Sequence, residues 1–187
     1  MKPNESSLRI TKLNLIKTER FDLRDLTEMD ASIEYLSWLS DPNTKRFISA
    51  AKKTQNLAEL KNFIRERTDS DFVRFFGIFE RATNKHIGNI KYEPIDTKLR
   101  YAIMGVLIGD PLFRGVGVFG EVYPATSRYI RDTYNLSNIF LGVDYHNSAA
   151  IKSYEKVGFL ETERHPLNKI HSRIVMVHSL QPVQPEL

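Results

Sequence analysis

The pattern of apolar and polar positions predicts short strands and helices in alternation over most of the chain. Residues 20–26 alternate apolar with charged side chains, as a strand with one buried face does. Thr27 and Asp30 form a capping pair, which predicts a helix that carries Ile33 on its apolar face and runs toward Pro42. The chain is therefore expected to open with a strand followed by a helix.

A second helix and three further strands are predicted in the next part of the chain. Apolar residues recur at helical spacing over residues 56–67. Strand-like runs follow at residues 72–79, 86–92 and 101–108, with a turn signal at residues 94–96. Because the connections between these strands are short, we expect them to be antiparallel neighbours.

The second half of the chain alternates helix and strand. Its predicted elements are a helix from a glycine-rich turn to about Thr133, a strand at 139–143, a helix at 147–156 and strands at 159–163 and 172–178. The pattern indicates an α/β fold with a mixed sheet of about seven strands, antiparallel in its N-terminal part, and about four flanking helices. A chain of 187 residues holds one such domain, which we expect to span residues 10–180 between flexible ends at 1–9 and 181–187.

Composition narrows the possible functions. The chain has no cysteine, which excludes disulfides, an acyl-cysteine intermediate and cysteine-ligated zinc. Its formal net charge is +4, but lysine and arginine are scattered, so we expect no nucleic-acid partner. No apolar run approaches the ~20 residues that cross a bilayer, and the N-terminus has no secretory signal. We therefore expect a cytoplasmic protein with no membrane partner, as a monomer or a homodimer.

A glycine-rich turn follows the predicted strand at 101–108 and precedes a helix. Its sequence is Arg114-Gly115-Val116-Gly117-Val118-Phe119-Gly120. Glycine allows the backbone to approach an anion, and the free N–H groups of a helix N-terminus face it, so the turn suits a pyrophosphate. The spacing matches neither a P-loop nor a dinucleotide-binding fingerprint. By itself, the turn fits a plain glycine-rich loop equally well.

A second motif begins directly after the strand at 139–143. It reads Asn147-Ser148-Ala149-Ala150-Ile151-Lys152-Ser153-Tyr154-Glu155-Lys156-Val157-Gly158-Phe159. Asn147 is a good N-cap, and Gly158 can end the helix. On this pattern alone, Tyr154 fits a core residue of an amphipathic helix.

The two motifs together resemble motifs A and B of the GNAT superfamily of acetyltransferases. The appearance is closest to the branch of the ribosomal-protein alanine N-acetyltransferases. The resemblance extends over about residues 10–180 and implies a sheet that splays at an acetyl-CoA site. It implies an enzyme that transfers the acetyl group of acetyl-CoA to a primary amine by direct attack in a ternary complex. A non-catalytic acetyl-CoA-binding sensor or interaction protein with the same fold is the alternative.

The resemblance also implies a role for individual residues. The backbone N–H groups of residues 115–120 would hold the coenzyme A pyrophosphate, with Arg114 at the start of the loop. Asn147 would bond the pantetheine arm, and the backbone near Leu107 and Ile108 would pair with it and polarise the thioester carbonyl. Tyr154 would be the general acid that protonates the departing thiolate.

The sequence departs from the family pattern at three places. Phe119 stands where the motif has a small residue, so its side chain must point away from the cofactor or displace it. Pro124 falls about two turns into the following helix, where it removes a backbone hydrogen bond and is expected to kink the helix. Gly142 and Ile103 occupy positions where relatives carry an acidic base.

Three other residues are therefore candidates for the general base. Asp144 lies two residues beyond Gly142 and His146 two further, so both fall on one strand face if no bulge intervenes. Glu93, at the end of another predicted strand, is the third. Each also has an ordinary reading as a strand-end or turn residue, and a chain of waters is equally admissible.

The remaining histidines, at positions 86, 165, 171 and 178, have no metal-ligand spacing, so we expect no metal. The acceptor could be a protein N-terminus, a small-molecule amine or the amino group of a nucleotide sugar. The modest positive charge slightly favours an anionic acceptor over a cationic one.

Overall fold

The computed structural model describes residues 15–47, 54–163 and 173–180. Its strands are β1 (Ile16–Lys17), β2 (Phe21–Asp25), β3 (Arg74–Glu80), β4 (Lys85–Asp96), β5 (Tyr101–Ile108), β6 (Asn138–Asp144), β7 (Leu160–Glu161) and β8 (Arg173–Ser179). Its α-helices are α1 (Ile33–Ser40), α2 (Pro42–Phe47), α3 (Leu57–Thr68), α4 (Val118–Tyr134) and α5 (Ser148–Lys156). The predicted flexible ends at 1–9 and 181–187, and His165 and His171, lie outside the described residues.

The strands form one mixed sheet in the order β1-β2-β3-β4-β5-β6-β8-β7. The first five strands are antiparallel neighbours, and among the described strands only β5 and β6 run parallel to each other. The predicted α/β class, with an antiparallel first half, is therefore confirmed. The two-residue strand β1 and the short helix α2 were not predicted, and they account for the larger number of elements in the described part of the chain.

The predicted helix after Thr27 is divided in two. Thr27 and Asp30 do form a capping box, but it opens a 3-10 turn, in which the Asp30 carboxylate also binds Arg24. Ser32 then caps α1 by accepting a hydrogen bond from the backbone of the third helical residue. Ile33, which the sequence places on the helix, lies at the start of α1 and is 68% exposed, whereas Trp38 and Leu39 are buried.

The turn predicted at residues 94–96 was also wrong, because β4 continues through it to Asp96. The register between β4 and β5 shifts between Tyr92 and Ile95, and this bulge accommodates Pro94, which cannot donate a ladder hydrogen bond. Ile95 is buried and pairs with Ala102. Burial of Ile95 and its pairing with Ala102 thus extend β4 through residues 94–96, where the sequence indicated a turn.

Helices cover both faces of the sheet, and each face has its own apolar core. One core packs α1 and α3 on side chains such as Phe75 and Leu107. The other packs α4 and α5 on side chains such as Phe76 and Ile90. Neighbouring positions of β3 point into opposite cores, as strand geometry requires. Helix α4 continues through Pro124, where the sequence predicts a kink, as one element to its end.

The sheet opens between its two parallel strands. Tyr101, Ala102 and Ile103 of β5 pair with Asn138, Ile139 and Phe140 of β6, and the pairing given for these strands ends there. The last five residues of β5 and the last four of β6 continue past that point toward the N-termini of α4 and α5. This divergence confirms the predicted splay and places an opening between the two helix N-termini.

Candidate active site

The glycine-rich turn shapes the N-terminus of α4. Gly115 and Gly117 have φ angles of 75° and 83°, which few L side chains adopt, and Gly117 is the N-cap. A Cβ added at Gly115 or Gly120 would meet no atom within 4 Å. Open space therefore surrounds a helix N-terminus, where the first N–H groups have no helical acceptor and attract an anion.

A salt bridge between Arg20 and Glu121, which the sequence did not indicate, anchors this turn. The Arg20 Nε lies 2.7 Å from Oε2 of Glu121, and the same guanidinium donates to the backbone oxygen of Val116 at 3.2 Å. Burial opposes ionisation of Glu121, but hydrogen bonds from Arg20 and Thr18 outweigh it and lower the pKa of the carboxyl. The only sequence signal was an acidic residue in the first turn of a helix.

The side chain of Arg114 is engaged on the opposite side of the turn. Its guanidinium donates to the backbone oxygens of Ile108 and Gly109 at 3.0 and 2.8 Å. It also donates to the Asp41 carboxylate at 3.1 Å, at the junction of α1 and α2. Arg114 therefore joins the end of β5 to two helices on the other wall of the opening.

The phenyl ring of Phe119 packs beside Tyr154 and leaves the turn open. It stacks on Tyr123 with a centroid separation of 5.2 Å and meets the Tyr154 ring edge-on at 5.1 Å. The bulky residue thus points into the core, as the sequence analysis required of it if a cofactor is to bind. Burial raises the pKa of Tyr154 to about 12, so its hydroxyl is protonated at neutral pH.

Asn147 caps α5 as predicted. Its Oδ1 accepts a hydrogen bond from the backbone N–H of Ala150 at 3.3 Å, and its own N–H donates to the backbone oxygen of Asp144. The side-chain oxygen is therefore used in the helix, whereas an asparagine amide has two further N–H donors. Asn147 can hold the helix N-terminus and still donate into the opening.

A cavity of about 610 Å³ fills the opening and continues under α1, α2 and α3. It brings together most of the predicted site residues, namely Glu93, Leu107, Ile108, Arg114, Gly115, Phe119, Asp144, Asn147 and Tyr154. The other predicted site residues, namely Val116, Gly117, Val118, Gly120 and His146, are not part of its lining. Of these, the four turn residues lie at or beside the N-terminus of α4, at the edge of the opening.

The structure corrects the prediction that Asp144 and His146 share a strand face. Strand β6 ends at Asp144, and the chain then turns, so that the N–H of His146 donates back to the Asp144 carboxylate at 2.9 Å. This backbone hydrogen bond lowers the pKa of Asp144. Asp144 stays at the cavity wall, while His146 is exposed outside it.

Glu93 lies in the cavity wall between two cations. Its carboxylate contacts the ammonium of Lys91, and its Oε2 lies 3.2 Å from Nε of Arg67. The guanidinium of Arg67 stacks on Phe63, with 3.7 Å from its carbon to the ring centroid. Oε2 of Glu93 is therefore the atom that both cations contact.

Two further polar residues of β4 line the cavity and were missed in the sequence. Asn89 and Lys91 alternate with buried apolar positions, and Asn89 donates to the hydroxyl of Tyr35 at 2.9 Å. Burial lowers the pKa of Lys91, although its contact with Glu93 opposes the shift. The available signal was a polar residue at every second position of a predicted strand.

The described residues also bear on metal binding and on membrane insertion. Among the described residues, no group of three or more His, Asp or Glu side chains could hold a metal ion. In the same part of the chain, no helix is long and apolar enough to span a membrane.

Comparisons with known proteins identify the protein family to which this chain belongs. The profile of the family described as acetyltransferase (GNAT) domain matches residues 20–160, so this chain belongs to that family. It is an acetyl-CoA-dependent N-acetyltransferase. A comparison with curated protein sequences finds no match.

Solved structures share the fold at low sequence identity. RimL, a ribosomal L7/L12 alpha-N-protein acetyltransferase in complex with coenzyme A, matches with a TM-score of 0.77 and 12% identity, over 89% of this chain and 98% of that one. The microcin C7 self-immunity acetyltransferase MccE, in complex with acetyl-CoA and AMP, matches with a TM-score of 0.75 and 13% identity, over 90% of this chain and 99% of that one. Spermidine N-acetyltransferase from Vibrio cholerae matches with a TM-score of 0.64 and 21% identity, over 86% of this chain and 94% of that one.

Proposed function

We propose that this protein transfers an acetyl group from acetyl-CoA directly to a primary amine while both are bound. The observation that carries this proposal is the single cavity that joins the α4 N-terminus and Tyr154 to the wall formed by Lys91 and Glu93. Two substrates can meet in it where β5 and β6 separate. The chain has no cysteine, which excludes an acyl-cysteine intermediate and favours direct attack by the amine.

The residues around the glycine-rich turn fit coenzyme A. The free N–H groups at the start of α4 face open space beside Gly115 and Gly120, which suits a pyrophosphate. The β5 backbone near Leu107 and Ile108, left without β6 partners, can pair with an amide-bearing arm. Asn147 supplies a side-chain donor at the same edge. Bound acetyl-CoA supplies the thioester that the amine attacks.

Tyr154 has the environment of a general acid. Its ring is fixed by Phe119 and Phe159, and its hydroxyl has no hydrogen-bond partner among the described residues. A protonated hydroxyl at the cavity wall can therefore donate to a leaving thiolate. The raised pKa of Tyr154, about 12, keeps this hydroxyl protonated at neutral pH.

The proton of the amine leaves through water in this proposal. Asp144 is held by the backbone of His146 and has a lowered pKa, and Glu93 is bound by Lys91 and Arg67. His146 is outside the cavity lining. The carboxylates of Asp144 and Glu93 are thus already engaged by neighbouring groups and His146 lies outside the cavity lining, whereas the cavity is large enough for ordered water.

Asp144→Asn is expected to lower kcat/KM by less than about fivefold, because the amide keeps an oxygen for the His146 N–H and loses only the basicity. Steady-state rates from pH 6 to 9 measure this. A loss on the order of 100-fold, together with removal of the acidic limb of the profile, would instead establish Asp144 as the base.

The acceptor is a small-molecule amine, a nucleotide sugar or a protein N-terminus in this proposal. The similar structures include acetyltransferases named for a ribosomal protein, microcin C7 self-immunity and spermidine, so the shared fold is compatible with different acceptors.

Acetyl-CoA is expected to raise the melting temperature of the protein. A ligand that binds only the folded state adds about 2.7 kcal/mol at a hundred times its Kd. Thermal unfolding with and without acetyl-CoA measures the shift, and release of free coenzyme A across a panel of amines measures turnover. Absence of a shift at millimolar acetyl-CoA would refute the cofactor site, and a shift without turnover on any amine would refute the transfer activity.

A further inference from the structure

One end of the cavity, which we call the acceptor end, is formed by Tyr35, Leu39, Thr44, Phe47, Phe63, Phe75, Asn89, Lys91 and Glu93. These residues come from α1, α2, α3, β3 and β4, and none belongs to the glycine-rich turn or α5. Four of them are aromatic. The acceptor end is therefore a mainly apolar pocket with a small polar group on its floor.

Lys91 is the cation of that floor. It pairs across the sheet with Gly105 of β5, two residues beyond the last β5 residue that pairs with β6. A Cβ at Gly105 would meet no atom within 4 Å, so the position opposite Lys91 is open. The ammonium thus lies beside the point at which the parallel strands separate, where the proposed transfer occurs.

The ammonium of Lys91 has unused hydrogen-bonding capacity. It carries three N–H donors, and the carboxylate of Glu93 is its one hydrogen-bond partner among the described residues. The Lys91 side chain is only 24% exposed, and the nearby rings of Phe63 and Phe75 offer no conventional acceptor. A half-buried charge with unpaired donors is stabilised by an incoming anion.

Glu93 is shared between Lys91 and a second cation. Its Oε2 is the atom that both Lys91 and Arg67 contact, and Arg67 also lies 3.7 Å from the exposed carboxylate of Glu66. The one carboxylate oxygen that Lys91 contacts is thus shared, and the ammonium keeps donors for an anionic group.

We infer that the acceptor is a small amine that carries a phosphate or carboxylate group, which Lys91 binds while a short apolar segment of the substrate packs on Phe63 and Phe75. This inference rests on the proposed acetyl transfer and specifies its substrate class. The bond formed is the amide between acetyl group and amine, and the thiol of coenzyme A is released. The anion takes no part in the chemistry; it orients the amine.

The test compares amines that differ only in the anion. Aminopropyl phosphate is compared with aminopropanol, and aminobutyrate with butylamine, with spermidine as the polycation. Because an anion changes the amine pKa, kcat/KM is expressed per unprotonated amine. We expect an anion-bearing amine to exceed its uncharged counterpart on the order of tenfold or more, and the two pairs separate phosphate from carboxylate recognition.

Substitutions assign the preference to Lys91. In Lys91→Met the ratio within each pair falls to near one, and in Lys91→Arg most of it remains. Lys98→Met, which removes an exposed lysine from the turn after β4, is the matched control and keeps the wild-type ratio. An equal ratio in wild type and Lys91→Met overturns the inference, as does a wild-type preference for spermidine.

A measurement of amine binding to the protein–coenzyme A complex tests the inference independently of the proposed acetyl transfer. Calorimetry of the same amines on protein saturated with coenzyme A gives affinities without turnover. If the anionic amine of each pair binds more tightly and Lys91→Met loses this difference, the inference is supported whether or not acetylation occurs. Absence of acetylation would refute only the proposed acetyl transfer. Turnover of uncharged amines with no preference for the anion overturns the inference and leaves the transfer standing.

Discussion

Tyr154→Phe is expected to lower kcat with acetyl-CoA by on the order of 100-fold or more, while the melting temperature stays equal or rises. The hydroxyl is held at the cavity wall between Phe119 and Phe159 and has no hydrogen-bond partner among the described residues, so its removal breaks no protein contact. Removing an unpaired hydroxyl from a buried site does not destabilise a fold. Steady-state kinetics and thermal unfolding of the variant measure both effects.

The leaving group separates acid catalysis from a packing effect. With an acetyl thioester of a much more acidic thiol, departure needs little protonation, and the defect of Tyr154→Phe should shrink. Equal proportional losses with both donors, or full activity with acetyl-CoA, would remove Tyr154 from the mechanism. The raised pKa of Tyr154, about 12, also predicts that its ionisation causes no fall in rate up to about pH 10.

Tyr123→Phe is the matched control. Tyr123 belongs to the same aromatic cluster, stacked on Phe119, but its hydroxyl hydrogen-bonds Nδ1 of His178 at 2.6 Å. Its replacement leaves a half-buried histidine nitrogen without this partner, so we expect lower stability, on the order of 1–3 kcal/mol. The loss of activity in Tyr123→Phe should follow that loss of stability, whereas the loss in Tyr154→Phe should not.

Gly120→Val is expected to weaken acetyl-CoA binding by about tenfold or more, with the fold preserved. Gly120 is the third residue of α4, and a side chain there would stand in open space beside the helix N-terminus where the pyrophosphate is proposed to bind. A steric conflict with bound ligand of about 1.4 kcal/mol or more corresponds to that tenfold change in Kd. Valine is no worse than glycine within a helix, so stability is retained.

Gly117 would be a less informative position for this test. Its φ of 83° strains any side chain, so a loss of binding there would mix a distorted turn with a blocked site. Arg128→Val, on an exposed position of the same helix, is the control for valine in α4. Unchanged acetyl-CoA affinity in Gly120→Val, measured by calorimetry, would show that the helix N-terminus does not hold the cofactor.

The sequence by itself determined the order of most elements and the two motifs of the site. Residues 56–67, 101–108 and 147–156 carry strong periodicity, and Asn56 and Asn147 cap their helices in the structure as local chemistry requires. These features depend on neighbouring residues along the chain, which is why a pattern can reveal them. The positive φ of Gly115 and Gly117 follows from the same local logic.

Only the tertiary structure decided what the side chains at the site can do. Asp144 alternates correctly with Gly142 along β6, but the chain turns after it and uses the carboxylate for the N–H of His146. Glu93 lies in the cavity wall because β4 continues through a bulge at Pro94, and it is bound there by a cation from α3. Pairings between distant elements depend on packing, to which sequence periodicity gives no access.

The same limit applies to the acceptor end. Lys91 appears in the sequence as one polar residue in a strand, and its significance comes from Gly105 on the next strand and from the end of β5–β6 pairing beside it. The sequence determined a glycine-rich turn, a candidate acid and a class of fold. The arrangement of charge around the acceptor depends on which strands and helices pack together, because burial and pairing set the behaviour of an ionisable group.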